Sequence, residues 1–318
     1  MVASAATNPP ARVTSSAGTA PDVNPTDVTP SAIPARQGGP VKEHPMKNPV
    51  RAFAPIAVAV AIAVALTGCS ASAGGAQAPS AAADGSLAAV RKAGVLTVGT
   101  EGTYRPFSYH QDGSGALTGY DVEVIRAVAA TLGVTAKFDE TQWDGIFAGL
   151  EAGRFNVIAN QVSVTPERTA KYTFSAPYTY STGVIVVPSK ETSIASFATL
   201  AGKTTAQSLT SNWYTLATKS GATVQSVEGW AQAVALVEQG RVDATVNDKL
   251  TFLDYKKQTG AKGLKIAAET TDQSKSAFAF AKGDTTLARA VNDALTKLAA
   301  AGTLTKLSEK YFGADVSR

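Results

Sequence analysis

The sequence is poor in the side chains on which most reaction chemistry is built. Its 318 residues include one cysteine, Cys69, and two histidines, His44 and His110. A single thiol excludes an internal disulfide framework and any metal site made of clustered cysteines. His44 stands in a proline-rich N-terminal arm, so a Ser-His-Asp or Cys-His catalytic set would have to be built on His110. That residue adjoins Gln111-Asp112-Gly113, a turn sequence between two expected strands, and reads as a surface-loop histidine. No catalytic residue, metal or cofactor is expected. Charge of one sign is also scarce, with 29 Lys and Arg against 25 Asp and Glu. The small excess is dispersed, and no basic run is interleaved with aromatics, which argues against nucleic acid as a partner.

Long apolar runs are missing too. The longest, Ala52 to Leu66, spans 15 residues and is broken by Pro55. That falls short of the ~20 residues a membrane-spanning helix needs. It suits the core of a secretory signal peptide, preceded by the short basic start Met46-Lys47-Asn48-Pro49-Val50-Arg51. The run ends in Leu66-Thr67-Gly68-Cys69, which resembles the lipobox of bacterial lipoproteins. The resemblance implies that the Cys69 thiol carries a lipid and becomes the mature N-terminus. Residues 69–85, small and polar, read as a flexible tether.

Nine of the 15 prolines fall in the first 49 residues, among Ser, Thr, Ala and Gly. Such a stretch cannot bury enough apolar surface to offset its ordering entropy and reads as disordered. Because a signal peptide begins at an initiator Met and Met46 is well placed, residues 1–45 are expected to be an over-extended start, absent from the mature protein.

From Ser86 onward the composition is that of a globular protein. A short helix at 87–92 stopped by Gly94 precedes a strand at 95–99. Asp121 is expected to cap a helix with Val122, Ile125, Val128 and Leu132 on its inner face, ending at Gly133. A strand at Lys137-Phe138, a helix from Trp143 to Ala152 and a strand at 156–159 follow. The alternation restarts with Gly183 to Val187, then strands at 204–207, 224–227 and 244–246 and helices at 213–219 and 230–239. Phe278 to Phe280 and two helices, 285–301 and 303–311, close the chain. This is an α/β pattern with sheets covered on both faces. Two units are expected, lobe 1 from 86–186 and 272–318 and lobe 2 from 187–271, joined by two crossing strands with the ligand cleft between them.

The motifs then resemble the amino-acid-binding branch of the bacterial extracellular solute-binding proteins, family 3, which serve ABC importers. The marks are Gly99-Thr100-Glu101-Gly102-Thr103-Tyr104-Arg105-Pro106-Phe107, Gly119-Tyr120-Asp121-Val122-Glu123, Thr165-Pro166-Glu167-Arg168, Phe174-Ser175-Ala176-Pro177-Tyr178 and Lys310-Tyr311-Phe312-Gly313. Ile158 to Val162 and Ala206 to Trp213 look closest to the L-cystine-binding members. The implied fold is the two-lobed, type II periplasmic-binding-protein architecture. Asn156 replaces an Asp of many relatives and is read as a packing or capping residue. Asn160-Gln161 replaces a small Ala-Gly pair of glutamine-type relatives, which disfavours glutamine as ligand.

An α-amino acid presents a carboxylate beside an ammonium, and a buried site must pair both. Thr165 is a good N-cap and Pro166 suits the first helical position, so the free N–H groups of that helix can face an anion. Arg168 adds a planar fork for a carboxylate. By resemblance Arg168 holds the ligand carboxylate, with Ser163 and Gln161 on the same strand edge. Asp248, at the end of the strand 244–246, takes the ammonium by resemblance, and it equally suits the N-cap of a helix from Lys249. Glu101 is a second candidate acid. Ser208, Thr210, Ser211 and Asn212 are candidates from the second lobe, or ordinary helix caps. Tyr104 and Trp143 match aromatic positions against the ligand side chain, while Trp143 also suits a helix core.

The expected mechanism is binding without chemistry. The open form takes the ligand on lobe 1, lobe 2 closes over it, and the closed form docks on a permease coupled to an ATPase, held near the outer face of the membrane by its lipid and acting as a monomer. Two rivals are a dehydratase of cyclic prearomatic acids on the same scaffold and an amino-acid-sensing lipoprotein.

Overall fold

The computed structural model describes residues 84–318. The proline-rich arm, the apolar segment through Cys69 and the tether as far as residue 83 lie outside the described residues. Asp84, counted in the tether, is already held by the fold: its carboxylate accepts from the Thr285 hydroxyl (2.7 Å) and the Thr286 N–H (2.9 Å).

Helix α1 (Ser86–Ala93) ends where Gly94 enters the left-handed region (φ 68°), a conformation open to a residue without Cβ. Strand β1 (Val95–Thr100) leads to three short strands, β2 (Thr103–Tyr104), β3 (Ser108–His110) and β4 (Leu117–Thr118): β3 and β4 flank the Gln111-Asp112-Gly113 turn as expected, while β2 is not revealed by the sequence pattern. Two or three residues are too few to show a strand period. They place His110 at a half-exposed edge, with Nε2 2.9 Å from Glu140.

Helix α2 (Tyr120–Thr131) starts two residues earlier than expected, with Gly119 at the cap position. Gly119 (φ 127°) lies so close to the Phe107 backbone that a Cβ would fall 2.2 Å from its carbonyl oxygen. The close approach turns Asp121 inward instead of letting it cap the helix: its carboxylate accepts the Gln161 N–H.

Strand β5 (Thr135–Glu140), helix α3 (Trp143–Glu151), strand β6 (Val157–Ile158), helix α4 (Pro166–Lys171) and strand β7 (Thr173–Phe174) complete the first run. Strand β8 (Thr179–Ser181) leads into β9 (Gly183–Pro188). The second run is β10 (Thr204–Gln207), α5 (Asn212–Lys219), β11 (Thr223–Ser226), α6 (Trp230–Glu238), β12 (Thr245–Asp248), α7 (Lys249–Thr259) and β13 (Leu264–Glu269). The chain returns through β14 (Ser274–Ser276) to β15 (Ala279–Phe280), α8 (Thr285–Ala300) and α9 (Thr303–Phe312).

Beside the small β2-β3-β4 sheet and the β8-β14 pair, these elements make two principal sheets. The first has the order β5-β1-β6-β15-β7, parallel at β5, β1 and β6 and antiparallel around β15. In the second, β9 is flanked antiparallel by β12 and β13, and a parallel bridge from Thr205 to Ala244 joins the β10-β11 pair to it. The β-branched run of β9 is explained by burial on both faces: Val184 and Val186 pack under α6, Ile185 and Val187 under α5. The first sheet is covered likewise, by α2 and α8 on one face (Leu96, Ile125, Phe278, Val291) and α3 on the other (Ile146, Leu150, Ile158).

The expected boundary at 186/187 cuts through β9, which pairs along its length within the second sheet. The chain crosses earlier, along β8, and returns along β14; these two strands pair with each other at Thr179–Ser276, Tyr180–Lys275 and Ser181–Ser274. Apolar content could not reveal this, because β9 is as apolar as a strand of either core.

Replacing Gly119 by Ala should destabilise the protein by about 2–4 kcal/mol, from a disfavoured φ and backbone overlap together. A urea unfolding midpoint unchanged from the parent would contradict the close approach described here.

Candidate functional site

Strand ends and helix starts of both sheets converge on one cleft of about 510 Å³. From the first lobe it is lined by Glu101 and Tyr104, which follow β1, by Trp143 at the start of α3, and by Asn160 and Gln161, which follow β6. The second lobe contributes Gln207, Ser208, Ser211, Asn212 and Trp213 around β10 and α5, Trp230 on α6, and Asn247 on β12. In open α/β sheets such a position, outside the C-terminal ends of strands, is where ligands bind.

Seven of the expected residues therefore meet in the cleft wall: Glu101, Tyr104, Trp143, Gln161, Ser208, Ser211 and Asn212. Trp143 serves both readings, since it also belongs to the core cluster under α3. Ser211 caps α5, its hydroxyl accepting the Tyr214 N–H at 3.0 Å, while Ser208 donates to the Glu228 carbonyl at 3.0 Å.

Arg168 stands directly behind this wall. Thr165 caps α4 as its sequence implies, accepting the Arg168 N–H at 3.2 Å. The guanidinium is buried against the neighbouring rings of Trp143 and Phe147, at 5.2 and 5.3 Å from their centroids. It donates to the Ser163 carbonyl (3.0 Å) in its own lobe, and to the Thr210 carbonyl (3.3 Å) and Asn212 Oδ1 (3.5 Å) across the cleft. Burial pulls its pKa down to about 10, so it stays cationic at neutral pH. Among the described residues no carboxylate lies within ion-pair distance of it.

Three expected residues lie beside the cleft rather than in its wall. Ser163 turns its hydroxyl to Ser274 (3.1 Å). Thr210 gives its N–H (2.9 Å) and hydroxyl (2.7 Å) to Asp144 of the opposite lobe. Asp248 is fully buried behind the wall: its carboxylate accepts from the Ser181 hydroxyl (2.7 Å) and caps α7 at the Leu250 N–H (2.8 Å). Successive residues of a strand face opposite ways, so the residue before it, Asn247, faces the cleft and accepts the Tyr104 hydroxyl at 2.9 Å.

Sequence reasoning did not single out Asn160, Gln207, Asn247, Trp213 or Trp230 as site residues. Composition held one clue: all three tryptophans of the chain, Trp143, Trp213 and Trp230, line the cleft. Asn160 clasps Glu101, its Oδ1 accepting the Glu101 N–H at 2.8 Å and its amide donating to the carboxylate. Asn156 is structural, as expected, accepting the Thr97 N–H (3.0 Å) and hydroxyl (2.7 Å).

Several polar atoms at this cleft are buried with no hydrogen-bond partner in the protein: Trp143 Nε1, both amide atoms of Gln161 and Gln207 Nε2. Native proteins leave few such atoms, and their concentration on one cleft marks it as built for a polar ligand. Burial raises the acids here. Glu101 is pushed up to about 7 against the Asn160 hydrogen bond, Asp121 to about 7 and Asp248 to about 6.

These three acids bind protons in the ligand-free fold at pH values where the unfolded chain has released them. The folded state is therefore favoured toward pH 5 and loses that advantage as pH rises to about 7. His110, raised mainly by its hydrogen bond to Glu140, adds in the same direction near and above its ordinary range. The Tm of the ligand-free protein should fall by several degrees between pH 5 and pH 8. A Tm that climbs steadily over that range would contradict burial as the cause.

Comparison with known proteins agrees with this architecture. The family model for bacterial extracellular solute-binding proteins, family 3, matches residues 96–314. The L-cystine-binding protein TcyA of Bacillus subtilis (strain 168) is 53% identical over 238 residues, 74% of this chain and 88% of TcyA. Among solved structures, the L-cystine solute receptor of Neisseria gonorrhoeae in its unliganded open conformation is 47% identical, with TM-score 0.51, covering 74% of this chain and all of that one. An ancestral arginine-binding protein bound to arginine is 34% identical, with TM-score 0.65, covering 69% of this chain and 99% of that one. Motifs, fold and similarity over the whole two-lobed body meet in one conclusion: the chain belongs to the bacterial extracellular solute-binding proteins, family 3.

Proposed function

We propose that the protein captures a zwitterionic amino acid, L-cystine before others, outside the cell membrane and hands it to the permease of an ABC importer without transforming it. The observation that carries the reading is Arg168, a buried guanidinium beside the cleft with no carboxylate of its own. A ligand carboxylate would supply the missing anion through charge-assisted hydrogen bonds. Glu101, in the cleft wall, takes the ammonium, with Asp248 adding negative field from behind Asn247. An ammonium there favours the ionised form of Glu101, which burial alone disfavours.

The cleft does not end at Glu101. A further recess shares Glu101, Tyr104, Gly229 and Trp230 with it and adds Gln142, Glu228 and Gln232. A long ligand with polar groups at both ends suits that shape, and similar proteins carry L-cystine in their names.

Closure is supported by bonds that only adjacent lobes can make: Arg168 and Asp144 to the Thr210 loop, Tyr104 to Asn247 and Thr251, and Arg105 to Asp254 at 3.3 Å. The better superposition on the arginine-bound protein than on the open receptor of higher identity points the same way. The protein acts as a monomer, held near its permease by a lipid on Cys69 at the end of a tether, which raises its effective concentration there.

L-cystine should quench or shift the tryptophan fluorescence, since every tryptophan lines the cleft. At a hundredfold excess over Kd it should stabilise the fold by about 2.7 kcal/mol, read as a raised Tm. Arg168→Ala should abolish the Tm rise while leaving a cooperative unfolding transition. A full response in that variant, or turnover of prephenate or arogenate by the parent, would overturn the reading. The lipid anchor is tested separately: Cys69→Ala should release the protein from the membrane fraction, and retention there would refute the anchor alone.

A further inference from the structure

Gln161 is one of two non-glycine residues with positive φ among the described residues, at 51°; the other, Asp112, lies in an exposed turn. A side chain with a Cβ adopts this conformation at a cost, and keeps it only where its surroundings hold it. The surroundings are specific. The Gln161 N–H donates to the carboxylate of Asp121, at the start of α2. Its carbonyl accepts from the Ser276 hydroxyl on β14 at 3.5 Å. The next residues are zipped to the same strand, Ala277 N–H to the Val162 carbonyl at 3.0 Å and Val164 N–H to the Lys275 carbonyl at 2.8 Å.

The amide side chain of this held residue lies in the cleft wall with neither its nitrogen nor its oxygen partnered. Asp121 has no contact with the cleft; it is fully buried, with the Tyr178 hydroxyl on its far side and Oδ1 unpartnered. A buried carboxylate is costly to keep. Capping α2 does not account for it, since Gly119 holds the cap position.

We propose that Asp121 is a positioning residue for the ligand: by clamping the Gln161 N–H it fixes the left-handed turn that aims the Gln161 amide into the cleft. Ser276 closes the clamp from the other side, so the turn that meets the ligand is fastened to one of the two strands on which the lobes hinge.

The role is tested on the secreted full-length protein by a double-mutant cycle, with L-cystine affinity read from tryptophan fluorescence. Asp121→Asn keeps the shape and removes the charge; Gln161→Gly takes a positive φ without help. Asp121→Asn should weaken L-cystine about tenfold in the parent and less than about twofold in the Gln161→Gly background. Equal losses in the two backgrounds would overturn the proposal, because a purely structural Asp121 would act on both alike. If Asp121→Asn does not fold, Ser276→Ala carries the same test from the other jaw of the clamp.

This affinity arm rests on the ligand reading above, so a second arm needs no ligand. The Gln161 amide proton should resonate far downfield in the parent, and should move upfield and exchange faster in Asp121→Asn. An unmoved resonance would refute the clamp whatever L-cystine does. A moved resonance in a protein that ignores L-cystine would uphold the clamp and sink the ligand reading instead.

Discussion

A buried cation without an anion organises this molecule. Desolvating a guanidinium is expensive, and neutral acceptors repay only part of the loss. Arg168 is given those acceptors from both lobes at once, Ser163 on one side and Thr210 and Asn212 on the other. The adjoining rings of Trp143 and Phe147 lie beside it and help to exclude water. Two of its three acceptors come from the second lobe, and a carboxylate would neutralise the charge they leave. Everything else at the cleft is neutral or acidic, so the polarity of the site along its length is fixed by where Arg168 stands.

The two lobes are stiff and the joint between them is slight. Each sheet is buried on both faces by helices, and packed interiors of that kind do not deform continuously. Between them run two strands of three residues. Backbone bonds and a serine pair fasten the segment from Gln161 to Val164 to β14 and the residue after it.

Much of this was legible in the sequence, for identifiable reasons. The β-branched run of β9, the glycine stops after α1 and α2, and the Thr-Pro start of α4 act locally, and the structure has each of them where the local rule puts it. The strand β13 depends on β9, a partner distant in sequence, and no local period reports it; β2 pairs with its near neighbour β3 but is too short to show a period. Asp121 was read as a helix cap because its position before an apolar stripe fits the rule; the close approach of Gly119 to Phe107, a tertiary contact, turned it to another task. Asp248 and Asn247 show a finer limit. Asp248 was placed at the end of the strand it follows, but only the pleat decides which of two neighbours faces a cleft, and a register one residue out exchanges them. Trp213 and Trp230 were invisible for a different reason, since an aromatic in an amphipathic helix is compatible with core or cleft until the facing surface is known.

The double crossing has a consequence for how the chain assembles. The second sheet draws its strands from one uninterrupted stretch, β9 to β13, and can complete its interior from neighbours close in sequence. The first cannot: Leu96 and Val98 of its earliest strand pack against Phe278, Leu287 and Val291, nearly two hundred residues later. Closing so long a loop is slow, and it waits for the C-terminal helices to arrive. A chain emerging N-terminus first therefore exposes its starting half longest, and its middle third is the part equipped to become native before the ends have met.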